Sequence, residues 1–207
     1  FLAHPVKKKP GTFFRYNTPA SYMLGAIVKK TTGEDLADYL EPRLFKPLGI
    51  RKPKWLTSPQ GLSIGGYGLY VRTEDIAKFG QLYLQNGKWK GKQLLPENWV
   101  KEATSKQVDN SNGIISRNSD WLVGYGYQFW QCRHGVYRGD GKDGQFCIVM
   151  PQYNTVVAMT ADNQDMQAQL NLVWEHILPA LKDKSLPANK KAQRKLKRAV
   201  AKLKASK

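Results

Sequence analysis

The spacing of apolar residues along the chain changes from a helical period to a strand-like period. Pro19 suits the first turn of a helix, and apolar residues recur after it at helical spacing as far as Gly33, namely Tyr22, Met23, Ala26 and Ile27. This pattern predicts a helix over residues 19–32. A second helix is predicted over residues 34–45, before Pro47-Leu48-Gly49, and the stretch 51–68, rich in Pro, Gly and Ser, is predicted to be a loop.

Two further helices are predicted before the strands begin. Thr73 is a suitable N-cap residue, and Glu74 and Asp75 complement the dipole of a helix that runs to about Leu84. Pro96 opens a shorter helix that extends to about residue 104. The polar residues 106–120 are predicted to form a surface loop.

The second half of the chain has the pattern of a sheet covered by a helix. Four short runs rich in β-branched and aromatic residues are separated by turn residues: GYGYQFWQC, GVYRG, QFCIVMP and TVVAMTA. They predict an antiparallel meander. A closing helix over residues 165–181 carries one apolar face made of Met166, Leu170, Val173, Trp174 and Ile177. Helices, a meander and a covering helix together indicate an α+β domain over residues 1–181.

Most of the excess positive charge lies in a tail behind this domain. The 207 residues carry a formal net charge of +17, of which residues 182–207 contribute +10 through eleven Lys/Arg and one acid. Within this tail Leu196, Ala199, Val200 and Leu203 follow helical spacing, which predicts a basic amphipathic helix. Such a helix suits weak contact with an anionic membrane or with phosphates, without sequence-specific nucleic-acid recognition. The alternative is a solvated extension with no dedicated partner.

The cysteines and histidines indicate no metal site. Cys132 and Cys147 lie in strand-like segments without metal-ligand spacing, and buried free thiols are expected rather than a disulfide. The three histidines, His4, His134 and His176, are scattered along the chain. These residues therefore predict no metal site.

Tyr16, just before the first predicted helix, raises a chemical question. A tyrosine has a pKa of about 10. It acts as a base near neutrality only where a neighbouring cation or the desolvation of its surroundings lowers that pKa. Three ordered blocks over residues 10–180 then carry a resemblance to a known family: FRYNTPASYMLGAIVKKTTGEDLADYLEPRLFKPLGI, GGYGLYVRTEDIAKFGQLYLQNGKWKGKQLLPENWVKEAT and YRGDGKDGQFCIVMPQYNTVVAMTA. They resemble the serine hydrolases of the class C β-lactamase, DD-peptidase and esterase superfamily. The similarity is greatest to the esterase and 6-aminohexanoate-dimer hydrolase branch.

The resemblance implies roles for several residues. Tyr16 is the proton-exchanging tyrosine, and Asn17 or Thr18 helps bind substrate or orient a catalytic lysine. The family's third motif, commonly Lys/His-Thr/Ser-Gly, is here Gly139-Asp140-Gly141, which lacks the usual cation at its first position. Gly141 permits close backbone approach to a substrate, and the backbone N–H of Lys142 is implied to donate to an oxyanion hole.

The nucleophile motif of the family does not occur in the sequence. That motif is Ser-x-x-Lys, with the two side chains one helical turn apart, and none of the nine serines has a lysine three residues later. Because the motif is absent and the sequence begins at Phe1, we expect this chain to be the C-terminal part of such a hydrolase. It would lack the N-terminal segment and be inactive alone.

The intact family member would hydrolyse an ester or amide, as a small molecule or a peptide, through an acyl-enzyme and in the periplasm or outside the cell. The resemblance implies no metal and no cofactor. We also expect an unpaired sheet edge, with poor solubility or a partner that covers the edge.

Two other interpretations are weighed against this one. Gly61-Leu62-Ser63-Ile64-Gly65 matches the Gly-x-Ser-x-Gly nucleophile elbow, with Asp140 and His176 as the available triad partners, but the motif lacks a preceding strand and a following helix. Ser63 is therefore expected to be a loop residue near the substrate pocket. The other alternative is a non-catalytic binding module, in which a hydrolase-like scaffold carries the basic tail to an anionic membrane or nucleic acid.

Overall fold

A computed structural model describes residue 3 and residues 5–203, and its architecture is the predicted α+β arrangement. The α-helices are α1 (Thr18–Thr32), α2 (Leu36–Leu40), α3 (Lys46–Leu48), α4 (Thr73–Leu84), α5 (Glu97–Thr104), α6 (Met166–Leu172) and α7 (Lys190–Lys202). The strands are β1 (Lys54–Trp55), β2 (Leu69–Tyr70), β3 (Lys88–Trp89), β4 (Lys92–Gln93), β5 (Trp130–Cys132), β6 (Val136–Gly141), β7 (Gln145–Met150) and β8 (Thr155–Met159). Predictions for His4 and for the last four residues fall outside the described part of the chain.

The first helix begins and ends where the sequence predicts. The side chain of Asn17 caps α1 by accepting a hydrogen bond from the N–H of Ala20 at 3.3 Å, and Pro19 lies in the first turn. Gly33 closes the helix in the left-handed conformation, at φ 79°. Because Tyr16 directly precedes this cap, its position is tied to the start of the helix.

The second predicted helix has different limits. It begins at Leu36 with Asp35 as its N-cap, and it continues past Pro47 to Leu48 before Gly49 ends it at φ 65°. A wider π-helical turn over Glu41–Phe45 lies between α2 and α3. Such a turn adjusts the backbone around prolines, which explains why Pro47 does not stop the helix.

The N-cap prediction for α4 was wrong by one residue. Arg72 is the N-cap, and its backbone N–H donates at 3.4 Å to the carboxylate of Asp75, the third residue of the helix. Thr73 lies inside the first turn, with its hydroxyl 3.0 Å from that of Thr160. The carboxylate of Asp75 therefore accepts a hydrogen bond from a backbone N–H at the start of the helix, a role that was predicted for the side chain of Thr73.

The predicted meander is confirmed as one antiparallel sheet in the order β5-β6-β7-β8. Its third strand, β7, is apolar and buried from Phe146 to Met150 because both faces of the sheet are covered there. Phe146, Ile148 and Met150 pack in one cluster with the α6 side, including Leu170, Val173 and Trp174. Cys147 and Val149 pack in the opposite cluster with α4 and α5, including Tyr83, Val100 and Ala103.

Short helical turns complete the fold. They are 3₁₀ turns at Arg133–Gly135, Pro151–Tyr153 and Leu178–Ala180, and a π-helical turn at Val173–Ile177. The closing helix predicted over residues 165–181 is therefore regular only in its first part. None of the helices in the described residues is both long and apolar enough to cross a bilayer.

Gly80 allows α4 to lie directly on the sheet. A Cβ at this position would lie 2.6 Å from a methyl carbon of Val156 and 2.8 Å from the sulfur of Cys147. Neither distance is compatible with a normal van der Waals contact, so this close helix–sheet packing requires glycine.

Both cysteines are buried free thiols, as predicted. Burial raises the pKa of Cys132 to about 11 and that of Cys147 to about 12. The thiols therefore stay protonated at neutral pH, and the sulfur of Cys132 accepts a hydrogen bond from the guanidinium of Arg138 at 3.0 Å.

The predicted surface loop over residues 106–120 ends in a buried acid. Asp120 is fully buried, and its carboxylate accepts hydrogen bonds from Arg133, Gln167 and the indole N–H of Trp174 at 2.9, 2.7 and 2.9 Å. Burial alone would raise the pKa of Asp120, but these hydrogen bonds outweigh it and lower the pKa to about 2. The carboxylate therefore connects the loop to α6 and to the turn after β5.

The depressed pKa of Asp120 predicts a loss of stability in acid. Its stabilising effect is complete above its unfolded pKa, near 4, and is lost as pH falls toward the folded pKa of about 2. Between pH 5 and pH 2 the free energy of unfolding of the wild type should fall by about 2 kcal/mol more than that of Asp120→Asn. Urea denaturation of both proteins across this range measures the difference, and parallel curves would contradict the assignment.

Candidate functional site

Tyr16 lies in a cluster of aromatic rings at one end of the sheet. Its ring stacks on Trp130 with centroids 5.7 Å apart and contacts Tyr125 edge-on at 6.4 Å. Phe14 adds a fourth ring, 5.0 Å from Tyr125. Tyr16 remains 46% exposed, so the cluster holds the ring while leaving part of it accessible.

This aromatic cluster lies beside an open stretch of strand β6. Strand β5 pairs with Val136–Arg138 only, and Trp130, opposite Arg138, is its first paired residue. Within the described residues, Gly139–Gly141 therefore has a strand partner on the β7 side alone. The predicted third motif and the predicted tyrosine, more than a hundred residues apart in sequence, flank the same tryptophan.

Asp140 is a buried acid on this open stretch. Its side chain is 12% exposed, and its Oδ2 lies 3.0 Å from Nη2 of the fully buried Arg138. The contact is ionic rather than an aligned hydrogen bond, because neither atom has a hydrogen-bond partner with suitable geometry in the described residues. Burial raises the pKa of Asp140, and the guanidinium opposes that rise.

The environment of Tyr16 favours its protonated form. Burial raises the pKa of Tyr16, and the nearby charge of Asp140 raises it further. Burial also raises the pKa of Tyr125, with additional contributions from Tyr16 and Asp140. In the described residues the phenol of Tyr16 is therefore a hydrogen-bond donor at neutral pH, and it needs an additional cation nearby to act as a base.

Asn17 and Thr18 have structural contacts in this site. The Asn17 side chain is occupied by capping α1. Thr18 packs against Gly66, where a Cβ would lie 2.6 Å from Cγ2 of the threonine. Their role toward substrate or lysine stays a prediction.

Within the third motif, Gly139 and Gly141 differ in how much space surrounds them. A Cβ at Gly139 would meet no atom closer than 4.0 Å, so the absent side chain leaves room, whereas a Cβ at Gly141 would lie 3.0 Å from Cβ of Gln145. Lys142 follows in the β6–β7 turn, with its side chain 90% exposed and its Nζ 2.6 Å from Asp143. The side chain of Lys142 thus points to solvent, and the predicted role of its backbone N–H stays a prediction.

Ser63 does not form a nucleophile elbow. It is buried, its hydroxyl donates to the carboxylate of Asp35, and its N–H donates to the other oxygen at 3.0 Å. The following glycines pack on α1 instead of starting a helix: a Cβ at Gly65 would lie 2.7 Å from the carbonyl oxygen of Ser21. Ser63 therefore connects its loop to the N-terminus of α2, and neither Asp140 nor His176 is its hydrogen-bond partner.

Three residues of this site were not predicted from the sequence: Tyr125, Trp130 and Arg138. The pattern assigned all three to strands of a sheet, which says nothing of their contacts. The lone arginine in the run GVYRG was the available signal, since a cation inside an otherwise buried strand must have a partner. Among the described residues, no three His, Cys, Asp or Glu side chains come together as metal ligands would.

Comparisons of the sequence and of the structure with known proteins point to the same family. A sequence model of the family described as Beta-lactamase matches residues 1–181. An uncharacterized protein of Alkalihalophilus pseudofirmus is 28% identical over 180 residues, covering 74% of this chain and 53% of its own length. The chain therefore spans about half the length of this curated relative.

Solved structures share the fold. A Bacillus anthracis protein assigned by name to the 6-aminohexanoate-dimer hydrolases superposes with a TM-score of 0.67 at 23% identity, covering 86% of this chain and 47% of its own. A penicillin-binding protein from Bacillus halodurans superposes with a TM-score of 0.62 at 20% identity, covering 86% and 60%. These likenesses confirm the predicted fold class.

Proposed function

We propose that this chain, which belongs to the beta-lactamase family, forms the C-terminal part of a serine hydrolase that cleaves an ester or amide through an acyl-enzyme. The Ser-x-x-Lys motif of the whole enzyme would come from a segment outside the present sequence, because no serine here has a lysine three residues later. The substrate would be a small molecule or a peptide, and the enzyme would work in the periplasm or outside the cell.

One observation carries the proposal. Tyr16 and the open stretch Gly139–Gly141 flank the same residue, Trp130, although they lie at opposite ends of the domain sequence. A hydrolase of this kind needs a proton-exchanging group on one side of the reacting carbonyl and backbone N–H donors on the other. The contact of Tyr16 with Trp130, beside this stretch of β6, supports the assignment of both roles.

The electrostatics of Tyr16 support a role for a lysine from a segment outside the present sequence. Burial and Asp140 keep the pKa of Tyr16 above its ordinary value, so the phenol does not accept a proton at neutral pH. A lysine ammonium beside the phenol would favour the tyrosinate and share protons with the serine hydroxyl. In the proposed enzyme, Tyr16 then takes the serine proton during acylation and returns one to the leaving group.

The surface of α1, the helix that follows Tyr16, has room for such a segment. Leu24 and Ile27 on α1 are 55% and 53% exposed, which is unusual for large apolar residues of a packed helix. A groove of about 260 Å³ lies along the same helix, lined by Ser21, Leu24, Gly25, Val28, Leu36, Gly65 and Gln128. We propose that the segment with the nucleophile covers this face. Without it, the chain is expected to be poorly soluble.

Labelling with a fluorescent fluorophosphonate tests the proposal. The present chain and the product of a longer reading frame are compared, with Ser63→Ala as a control in both. We expect labelling of the longer product alone and no effect of Ser63→Ala, because the Ser63 hydroxyl is buried and bonded to Asp35. Replacing the serine of an upstream Ser-x-x-Lys should abolish the label.

Two results would overturn this assignment. Labelling of the short chain that disappears in Ser63→Ala would make the loop serine the nucleophile. A longer reading frame without Ser-x-x-Lys, or one with the motif that is folded but unlabelled, would remove the hydrolase function and leave only the fold.

A further inference from the structure

Helix α7 at the end of the described chain exposes both of its faces. None of its residues is buried, and Leu196 and Val200 keep 65% and 56% of their surface exposed. Leu203, which follows the helix, is 78% exposed. Large apolar side chains at helical spacing are rarely left in water unless another surface covers them.

The two faces differ sharply in chemistry. At 100° per residue, the cations occupy one side of α7: Lys190, Lys191, Arg194, Lys195, Lys197, Arg198 and Lys202. The other side carries Ala192, Leu196, Ala199 and Val200, and Leu203 continues this apolar stripe. The helix contains no acid, so nothing within it neutralises the seven cations.

This helix starts independently of the domain. The side chain of Asn189 caps it by accepting a hydrogen bond from the N–H of Ala192 at 2.9 Å. The connecting residues 182–189 are all exposed and include Pro187. The helix can therefore lie along a surface while the α+β domain stays in water.

We propose that α7 is an interfacial helix that binds the surface of an anionic phospholipid bilayer. Its apolar stripe would insert at the boundary of headgroups and acyl chains, while the lysines and arginines contact lipid phosphates. The apolar stripe favours lipid over nucleic acid, because phosphate contacts alone require only the cations. The high density of like charge disfavours self-association and also docking on this protein, whose residues 1–181 carry +7. This inference does not depend on the proposed hydrolase.

Vesicle co-sedimentation of the full chain tests the proposal. Vesicles of phosphatidylcholine alone are compared with a 3:1 mixture of phosphatidylcholine and phosphatidylglycerol in 0.1 M salt. We expect binding to the anionic vesicles and an affinity for neutral vesicles lower by about a hundredfold or more, because each cation near the surface contributes about fivefold. Raising the salt concentration should weaken the binding.

Three variants separate the contributions of the two faces. Leu196→Gln/Val200→Gln keeps the charge and should weaken binding to anionic vesicles by about tenfold or more. Lys191→Gln/Lys195→Gln should weaken it by about twenty-fold. Lys7→Gln/Lys8→Gln makes the same change in net charge outside the helix and should leave binding within about twofold.

Several outcomes would overturn the proposal. One is vesicle binding that Leu196→Gln/Val200→Gln leaves intact, because the apolar stripe would then have no part in it. A second is tight binding to duplex DNA without binding to vesicles, which would make nucleic acid the partner. A third is a dimer in sedimentation velocity that this double variant abolishes while vesicles bind neither form, which would make a second copy the occupant.

Discussion

Replacing Arg138 by methionine is expected to lower the free energy of unfolding by about 3–5 kcal/mol. The guanidinium is fully buried, pairs with Asp140 at 3.0 Å, and donates to the carbonyl oxygen of Asp120 at 2.8 Å. It also lies 4.4 Å from the ring centroid of Trp121. Methionine fills a similar volume but leaves a buried carboxylate without its cation, which is the costly part of the change. Urea denaturation at pH 7 measures the loss.

Two further variants show whether the ion pair causes this effect. Arg43→Met removes an arginine of similar length from an exposed pair with Glu34, whose side chains are 48% and 47% exposed, and should cost at most about 1 kcal/mol. Arg138→Met/Asp140→Asn should recover about 1–3 kcal/mol relative to the sum of the single variants. A coupling below about 0.5 kcal/mol would mean that Arg138 acts through packing and not through Asp140.

Replacing Tyr16 by phenylalanine in the longer reading frame is expected to lower kcat for p-nitrophenyl acetate by about 10²–10⁴. The variant keeps the ring that stacks on Trp130 and removes only the hydroxyl, so the aromatic cluster should remain folded. In the proposed mechanism, the lost proton transfer would slow acylation and deacylation alike. Steady-state kinetics, with circular dichroism to confirm folding, measure the effect.

Tyr22→Phe is the matched control. Its hydroxyl lies 3.1 Å from that of Ser58, and the residue lies six positions after Tyr16 and outside the aromatic cluster. This variant should change kcat by less than about threefold. If Tyr16→Phe also stays within tenfold of the wild type, Tyr16 is a structural residue and the assignment of its role is wrong.

The local elements were largely predictable from the sequence. Asn17, Pro19 and Gly33 act on the backbone through their own hydrogen bonds and dihedral preferences, so the limits of α1 follow from neighbouring residues. The run QFCIVM similarly predicted one strand of the meander. The order of the meander follows from short turns, which bring consecutive strands together.

Prediction from neighbouring residues failed at two places, the N-cap of α4 and the position of Asp120. Thr73 was a good N-cap by type, yet Arg72 is the N-cap of α4, and its backbone N–H donates to the carboxylate of Asp75. Asp120 belongs to the polar stretch 106–120, which was predicted to be a surface loop. It is buried because Arg133, Gln167 and Trp174 supply its hydrogen bonds from distant positions.

By itself, the sequence determined the α+β class, the meander, the basic amphipathic tail and the family resemblance that singled out Tyr16. These depend on periodicity and on contiguous motifs, which a single chain displays directly. Only the tertiary structure decided that Trp130 joins Tyr16 to the open edge of β6, that Arg138 pairs with Asp140 beneath it, and that Ser63 is bonded to Asp35. The physical reason is that burial and charge pairing are properties of residues distant in sequence, and their energies depend on distances that exist only after folding.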